Sequence, residues 1–140
     1  MAYRGARSLC MIGLLTSLSA PSSWAGESSD VRTPIERQFE AFAQDDAAAA
    51  YSYATPALKV VFTDPDRFMA MVRKSYSAVY RHRSAEFGQQ DVDGDNAQQT
   101  VTLVDNDNVV WKALYKLARQ PGGGWLINGC VLIKSTDSAT

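Results

Sequence analysis

Apolar residues recur at every second position through 109–117. Val109, Trp111, Ala113, Tyr115 and Leu117 fall on one side, and Val110, Lys112, Leu114 and Lys116 on the other. A period of two is the rhythm of a half-buried β-strand, with the first set as its core side. A second β-rich run, 125–133, puts Trp125, Ile127, Gly129, Val131 and Ile133 on one face and Leu126, Asn128, Cys130 and Leu132 on the other, and neither face is plainly polar. Between the runs, Pro121 presets φ and Gly122, Gly123 and Gly124 tolerate positive φ, so the chain can reverse in a short loop and the two runs read as a β-hairpin.

Upstream the period is helical. Thr33-Pro34-Ile35-Glu36 has the form of a capping box with proline at the first helical position, and Ile35, Phe39 and Phe42 then recur at spacings of four and three. A helix is therefore expected from Thr33 to about Gln44. Asp45 or Asp46 can cap a second over 47–54, where a run of alanines permits close packing. Thr55-Pro56 breaks and restarts the chain for a short piece holding Leu58, Val61 and Phe62. Thr63-Asp64-Pro65 repeats that logic for a helix with Phe68, Met69, Val72 and Tyr76 as its buried face. Met69 and Met71 read as core filling.

After Tyr76 the rhythm becomes alternating again. Strands are expected over 79–89 and 97–104, with turns at 91–96 and 105–108, both rich in Asp, Asn and Gly. Helical pieces followed by four strands predict an α+β domain with N-terminal helices packed on one face of a curved four-stranded antiparallel sheet, the simplest way to bury every apolar stripe.

The chain ends alter the picture. Residues 1–25 read as a secretory signal: Arg4 and Arg7 form the positive segment, 9–18 the apolar one, and Ser23, Trp24 and Ala25 precede the expected cleavage. The product is then periplasmic or secreted, with no membrane segment, since the apolar run is shorter than the ~20 residues that span a bilayer. Residues 26–32 are expected to be a flexible mature N-terminus, 33–134 a single domain, and 135–140 a flexible tail. Cleavage takes Arg4, Arg7 and Cys10, lowering Lys plus Arg from 14 to 12 against 15 acids and leaving Cys130 as a single thiol. A weakly acidic domain with no basic stripe is a poor nucleic-acid binder, and one thiol forms no internal disulfide.

Several phrases resemble a bacterial secreted family known as domain of unknown function 4864. They are Gln38-Phe39-Glu40-Ala41-Phe42 with Asp45-Asp46-Ala47, Thr55-Pro56, Met71-Val72-Arg73 with Tyr76, Val79-Tyr80-Arg81, Arg83-Ser84 with Phe87-Gly88, Trp111-Lys112-Ala113-Leu114-Tyr115, and Trp125-Leu126-Ile127-Asn128-Gly129-Cys130. The element order resembles the cone-shaped folds named after nuclear transport factor two, which include SnoaL-like proteins and ketosteroid isomerases. The resemblance implies fold and compartment, and no agreed activity. The family shows proline where this chain has His82, which counts against a shared catalytic histidine.

Candidate chemistry is sparse. Asp91, Asp93 and Asp95 imitate the start of a calcium loop, but Asn96 stands where glycine is expected and Thr102 where the bidentate acid is, so no metal is expected. Gly122-Gly123-Gly124 lacks the Lys-Ser/Thr and helix of a phosphate loop. His82 has no evident orienting partner and reads as an exposed strand residue. No catalytic residue and no cofactor are expected. The tentative ligand-contacting set is Tyr80, Arg81, Arg83, Trp111, Tyr115, Asn128 and Cys130: arginines as a cationic lip, aromatics as lining, Asn128 as a polar anchor, and Cys130 as a small apolar residue or thiol. Three functions compete. The first is a non-enzymatic module holding a small, partly apolar ligand or a protein partner. The second is an isomerase-like or hydrolase-like enzyme needing a carboxylate inside the cone, and the third is a homodimer paired through the sheet.

Overall fold

A computed structural model describes residues 23–136. Five helices precede four strands: α1 (Ser23–Ala43), α2 (Ala47–Ser52), α3 (Pro56–Phe62), α4 (Pro65–Ser75), α5 (Ser77–Tyr80), β1 (Ser84–Asp93), β2 (Asn96–Val104), β3 (Val110–Arg119) and β4 (Trp125–Lys134). The strands form one antiparallel meander in the order β1-β2-β3-β4. The α+β expectation holds, with the helices and the inner sheet face enclosing one core.

The first helix departs from expectation. Residues 26–32 are helical, and Thr33 is not a cap: its hydroxyl donates to the Ser29 carbonyl at 2.9 Å, as a threonine inside a helix does. Tertiary contact overrides the local capping signal. Val31 and Ile35 are fully buried, the Arg32 guanidinium lies over the Phe87 ring, and Glu27 pairs with Arg119. Of the expected signal, residues 1–22 lie outside the described residues, as do 137–140 of the expected tail. Among the described residues no helix is long and apolar enough to cross a membrane.

The shorter helices follow their caps. Asp46 accepts from Ala49 N at 3.0 Å, Thr55 Oγ1 from Leu58 N at 3.2 Å, and Asp64 from Arg67 N at 2.9 Å, each satisfying a donor that the first helical turn leaves without an internal partner. In α3 Val61 is 70% exposed, Phe62 packs against the core, and Leu58 lines the space between helices and sheet. The first strand begins later than the alternation suggests. Residues 77–80 form α5, with Val79 N and Tyr80 N both donating to the Tyr76 carbonyl, and β1 then runs on to Asp93. Its hairpin to β2 is correspondingly tight, with Gly94 at φ +58°.

The inner sheet face carries Ala97, Val101 and Leu103 of β2, Ala113, Tyr115 and Leu117 of β3, and Trp125 and Ile127 of β4. The β3 alternation therefore has the expected core side. The β4 alternation does not persist: Leu117 pairs with Ile127 but Lys116 pairs with Gly129, so Asn128 is an extra residue in a bulge. Beyond it Cys130 stands opposite Tyr115 and Leu132 opposite Ala113, both on the inner face, while Val131 and Ile133 turn outward and are 52% and 48% exposed. A second irregularity interrupts β1 between Phe87 and Gln90. There the buried Gln99 side chain donates to the carbonyls of Gly88, Gln89 and Thr100 and accepts from Gln90 Nε2 at 2.7 Å, so the bulged backbone is satisfied from within.

Candidate functional site

A cavity of 180 Å³ lies between the helices and the sheet. Gln38 and Phe42 of α1, Leu58 and Phe62 of α3, Phe68, Met71 and Val72 of α4, Tyr76, Val79, and Tyr115, Ile127, Gly129 and Cys130 of the sheet line it. Aromatic contacts set its outer wall, with the Phe62 and Phe68 rings edge-to-face at 5.6 Å and Phe42 stacked on Phe68 at 6.3 Å. The β4 bulge supplies the rest by turning Cys130 inward. Counted by twos from Ile127, Cys130 would point outward; the extra residue at Asn128 brings it to the inner face.

Four polar side chains reach this apolar space. Gln38, 3% exposed, donates through Nε2 to the Ala50 carbonyl at 3.1 Å. Tyr76 donates to the Cys130 carbonyl at 3.0 Å, and burial followed by the neighbouring Cys130 raises its pKa. The Cys130 thiol is pushed up to about 12 by burial, against a smaller opposing influence of the Tyr115 hydroxyl. Tyr115 is 1% exposed, and its hydroxyl has no well-directed hydrogen bond among the described residues. Its pKa is driven well above the ordinary value by burial and then by Cys130 and Tyr76. The Cys130 thiol thus lies within weak hydrogen-bonding reach of the phenol without forming a well-directed bond to it. All four groups are uncharged at neutral pH.

No Asp, Glu or His lines this cavity among the described residues. Nor does any cluster of three His, Cys, Asp or Glu among them have the arrangement of a metal site.

Of the residues expected to contact ligand, the fold brings only Tyr115 and Cys130 to the cavity. Tyr80 donates its hydroxyl to Asp45 at the surface, where Arg73 and Arg81 reach the same carboxylate at 3.3 Å and 3.0 Å. The Tyr80 hydroxyl, joined by the two arginines, holds the Asp45 carboxyl below the usual range against an opposing desolvation second in size only to the Tyr80 contribution. Arg81 also donates to the Phe42 carbonyl near the end of α1 and lies over the Tyr80 ring at 4.0 Å. Arg83 instead donates to Asn108, so the two arginines form no common lip. Trp111 Nε1 donates to Asp105 at 2.9 Å, helping to fasten the β2–β3 turn. The Asn128 side chain accepts from Thr55 Oγ1 at 2.7 Å beside the bridge that ties Ala54 to Ile127. His82 is not on an exposed strand: it is half-buried just after α5, its ring 4.7 Å from that of Phe39 and Nδ1 3.1 Å from the Ala78 carbonyl, and burial lowers its pKa.

The residues missed as lining are those of the helices. Phe42, Phe62, Phe68 and Tyr76 were legible as buried stripes, and Met71 and Gln38 were visible as helical positions, but helical periodicity does not distinguish a side chain that fills a core from one that borders a void.

The family described as Domain of unknown function (DUF4864) matches residues 25–140. The chain belongs to the DUF4864 family. Its fold is that of an NTF2-like protein of unknown function from Shewanella baltica OS155, whose crystal structure aligns over 81% of this chain and 98% of its own at 10% identity and a TM-score of 0.54. No curated protein matches the chain. At that identity the likeness establishes the NTF2-like cone alone, and the chemistry of this DUF4864 member rests on its own residues.

Proposed function

We propose that this DUF4864 chain is a secreted, non-enzymatic module that holds one small, largely apolar molecule between its helices and its sheet. The observation that carries this reading is the 180 Å³ cavity walled by Phe42, Phe62, Phe68, Met71 and Val72 and lacking any acidic or basic side chain among the described residues. An apolar cavity of about 150 Å³ accommodates benzene, so this one suits a single-ring molecule and not a steroid or lipid tail. An isomerase-like or hydrolase-like mechanism would need a carboxylate or histidine at the bound molecule to move a proton, and the lining has none. Secretion is supported by the charged and apolar pattern of residues 1–25 and predicts a mature chain beginning at Gly26 in the exported fraction.

The test is binding of a single-ring hydrocarbon, with toluene as probe. Toluene should raise the unfolding temperature in a concentration-dependent way and shift the NMR signals of Phe68, Met71 and Cys130. Leu58→Trp, which adds bulk at a half-buried lining position, should abolish both effects. Equal responses in the two proteins, or none in either, would refute the reading.

A further inference from the structure

An apolar cavity accounts for size and greasiness but not for the one group in it that has something left to give. Tyr115 rises from the middle of β3 and is 1% exposed; among the described residues its hydroxyl is one of two buried side-chain polar atoms with no hydrogen-bond partner. The other, Arg32 Nε, belongs to a side chain laid over Phe87 and does not border the cavity. Buried hydroxyls are nearly always bonded, because leaving one unmade forfeits its hydration for no return. Tyr115 lines the cavity and stands opposite Cys130, another lining residue, while its hydroxyl has no open surface of its own, so it lies just behind the wall and a ligand oxygen reaches it by a small shift of the Cys130 side chain. The neighbours do not satisfy it. Tyr76 has committed its proton to the Cys130 carbonyl, and a thiol is a weak acceptor.

We propose that the Tyr115 hydroxyl is the selecting contact of this cavity, donating to the acceptor oxygen of a neutral, single-ring ligand such as an aryl or cyclic ketone. The inference rests on the cavity being a binding site and adds the ligand's chemical class. Neutrality follows from the lining: with no cationic side chain bordering the cavity, a carboxylate entering it would lose its hydration without gaining a counter-charge. The choice of Tyr115 follows from the donors at the lining: Tyr76 has given its proton to the Cys130 carbonyl, Gln38 Nε2 already donates one of its two hydrogens to the Ala50 carbonyl, and Tyr115 donates none. The cost of burying the tyrosine hydroxyl is borne in the free protein. A ligand oxygen therefore collects a hydrogen bond to a donor that water has already left, and an isosteric hydrocarbon collects nothing there.

The experiment compares three molecules of nearly equal shape on the purified chain and on Tyr115→Phe: acetophenone, isopropylbenzene, in which a methyl group takes the place of the carbonyl oxygen, and benzoate. Removing the hydroxyl should cut the affinity for acetophenone relative to isopropylbenzene about tenfold, the size of one good neutral hydrogen bond to an otherwise unpaired donor. Benzoate should bind neither protein measurably. As a measurement independent of the variant, the carbonyl carbon of ¹³C-labelled acetophenone should move downfield on binding to the unaltered protein, as it does when a ketone accepts a hydrogen bond. An unchanged acetophenone-to-isopropylbenzene ratio in Tyr115→Phe, or a bound carbonyl shift equal to that in hydrocarbon solvent, overturns the role of Tyr115 while leaving the cavity a binding site. Tight benzoate binding overturns the requirement for neutrality. If neither neutral molecule binds, the proposed function falls and this inference falls with it.

Discussion

The same hydroxyl makes a prediction about the free protein, with the opposite sign. Tyr115→Phe deletes one oxygen from a side chain that is 1% exposed and leaves the ring where it is, edge-on to Phe39 at 6.3 Å and opposite Cys130 in the neighbouring strand. An unsatisfied buried hydroxyl costs about 1–3 kcal/mol relative to one that is bonded or absent. Partial recovery through the Cys130 sulfur puts the expectation near the lower end, about 1 kcal/mol in favour of phenylalanine. For a domain of this length that is a rise of roughly 3–6 °C in unfolding temperature, or about half a molar in the urea midpoint. Urea unfolding followed by tryptophan fluorescence reads it directly. Most conservative core substitutions destabilise, so the sign alone is diagnostic. A fall of about 1 kcal/mol would mean that the hydroxyl is bonded in solution, for example to trapped water, and would refute the argument that it stands unpaired. In saturating acetophenone the unaltered protein should regain the advantage, because ligand that binds only the folded state adds its binding free energy to stability.

Thr55→Ala removes both the cap on α3 and the bond to Asn128, and should cost about 1–2 kcal/mol in urea titration; an unchanged midpoint would show that the bridge from Ala54 to Ile127 suffices alone. The Asp45 carboxyl has a folded pKa below its unfolded one, so its contribution is present above the unfolded value and disappears as pH falls through the folded value. The stability difference between the unaltered protein and Asp45→Asn should therefore be level from pH 7 to about pH 5 and shrink as the pH drops below 4; a difference independent of pH would refute the coupling to Tyr80 and Arg73. With its pKa pushed up to about 12, Cys130 should react with iodoacetamide at pH 8 about a thousandfold more slowly in the folded protein than in urea, assayed by mass spectrometry in a Cys10→Ser background. Equal rates would place the thiol in water.

What was legible in the chain was legible where one element's rhythm went unbroken. The β3 alternation identified its core side because Ala113, Tyr115 and Leu117 succeed one another with no extra residue between them. The same reasoning fails in β4 at Asn128, since a bulge resets the count and nothing in Ile-Asn-Gly-Cys announces it. Local signals also lose to distant ones. The Thr33 capping pattern is genuine in form, yet Val31 has a place in the core and Glu27 a partner in Arg119, so the helix extends past it. The site suffered from a different blindness. Tyr80, Arg81, Arg83, Trp111 and Asn128 were singled out as polar or aromatic residues on strand-like segments, and each is engaged by another residue of the fold: Asp45, Phe42, Asn108, Asp105 and Thr55. A hydrogen bond to a residue outside the element's own period leaves no trace in it.

The extra residue in β4 also decides which of the later positions does which of two jobs. Downstream of Asn128, positions 130 and 132 belong to the interior and 131 and 133 to the solvent side. Mutational drift at Val131 and Ile133 can reshape what the sheet presents outward while the chamber keeps its wall. Changes at Cys130 retune the chamber while the exterior stays as it was. Deleting Asn128 would leave Ile127 and Cys130 both facing inward in plain alternation, so exchanging the two sets takes a one-residue slip of the pairing with no bulge to absorb it.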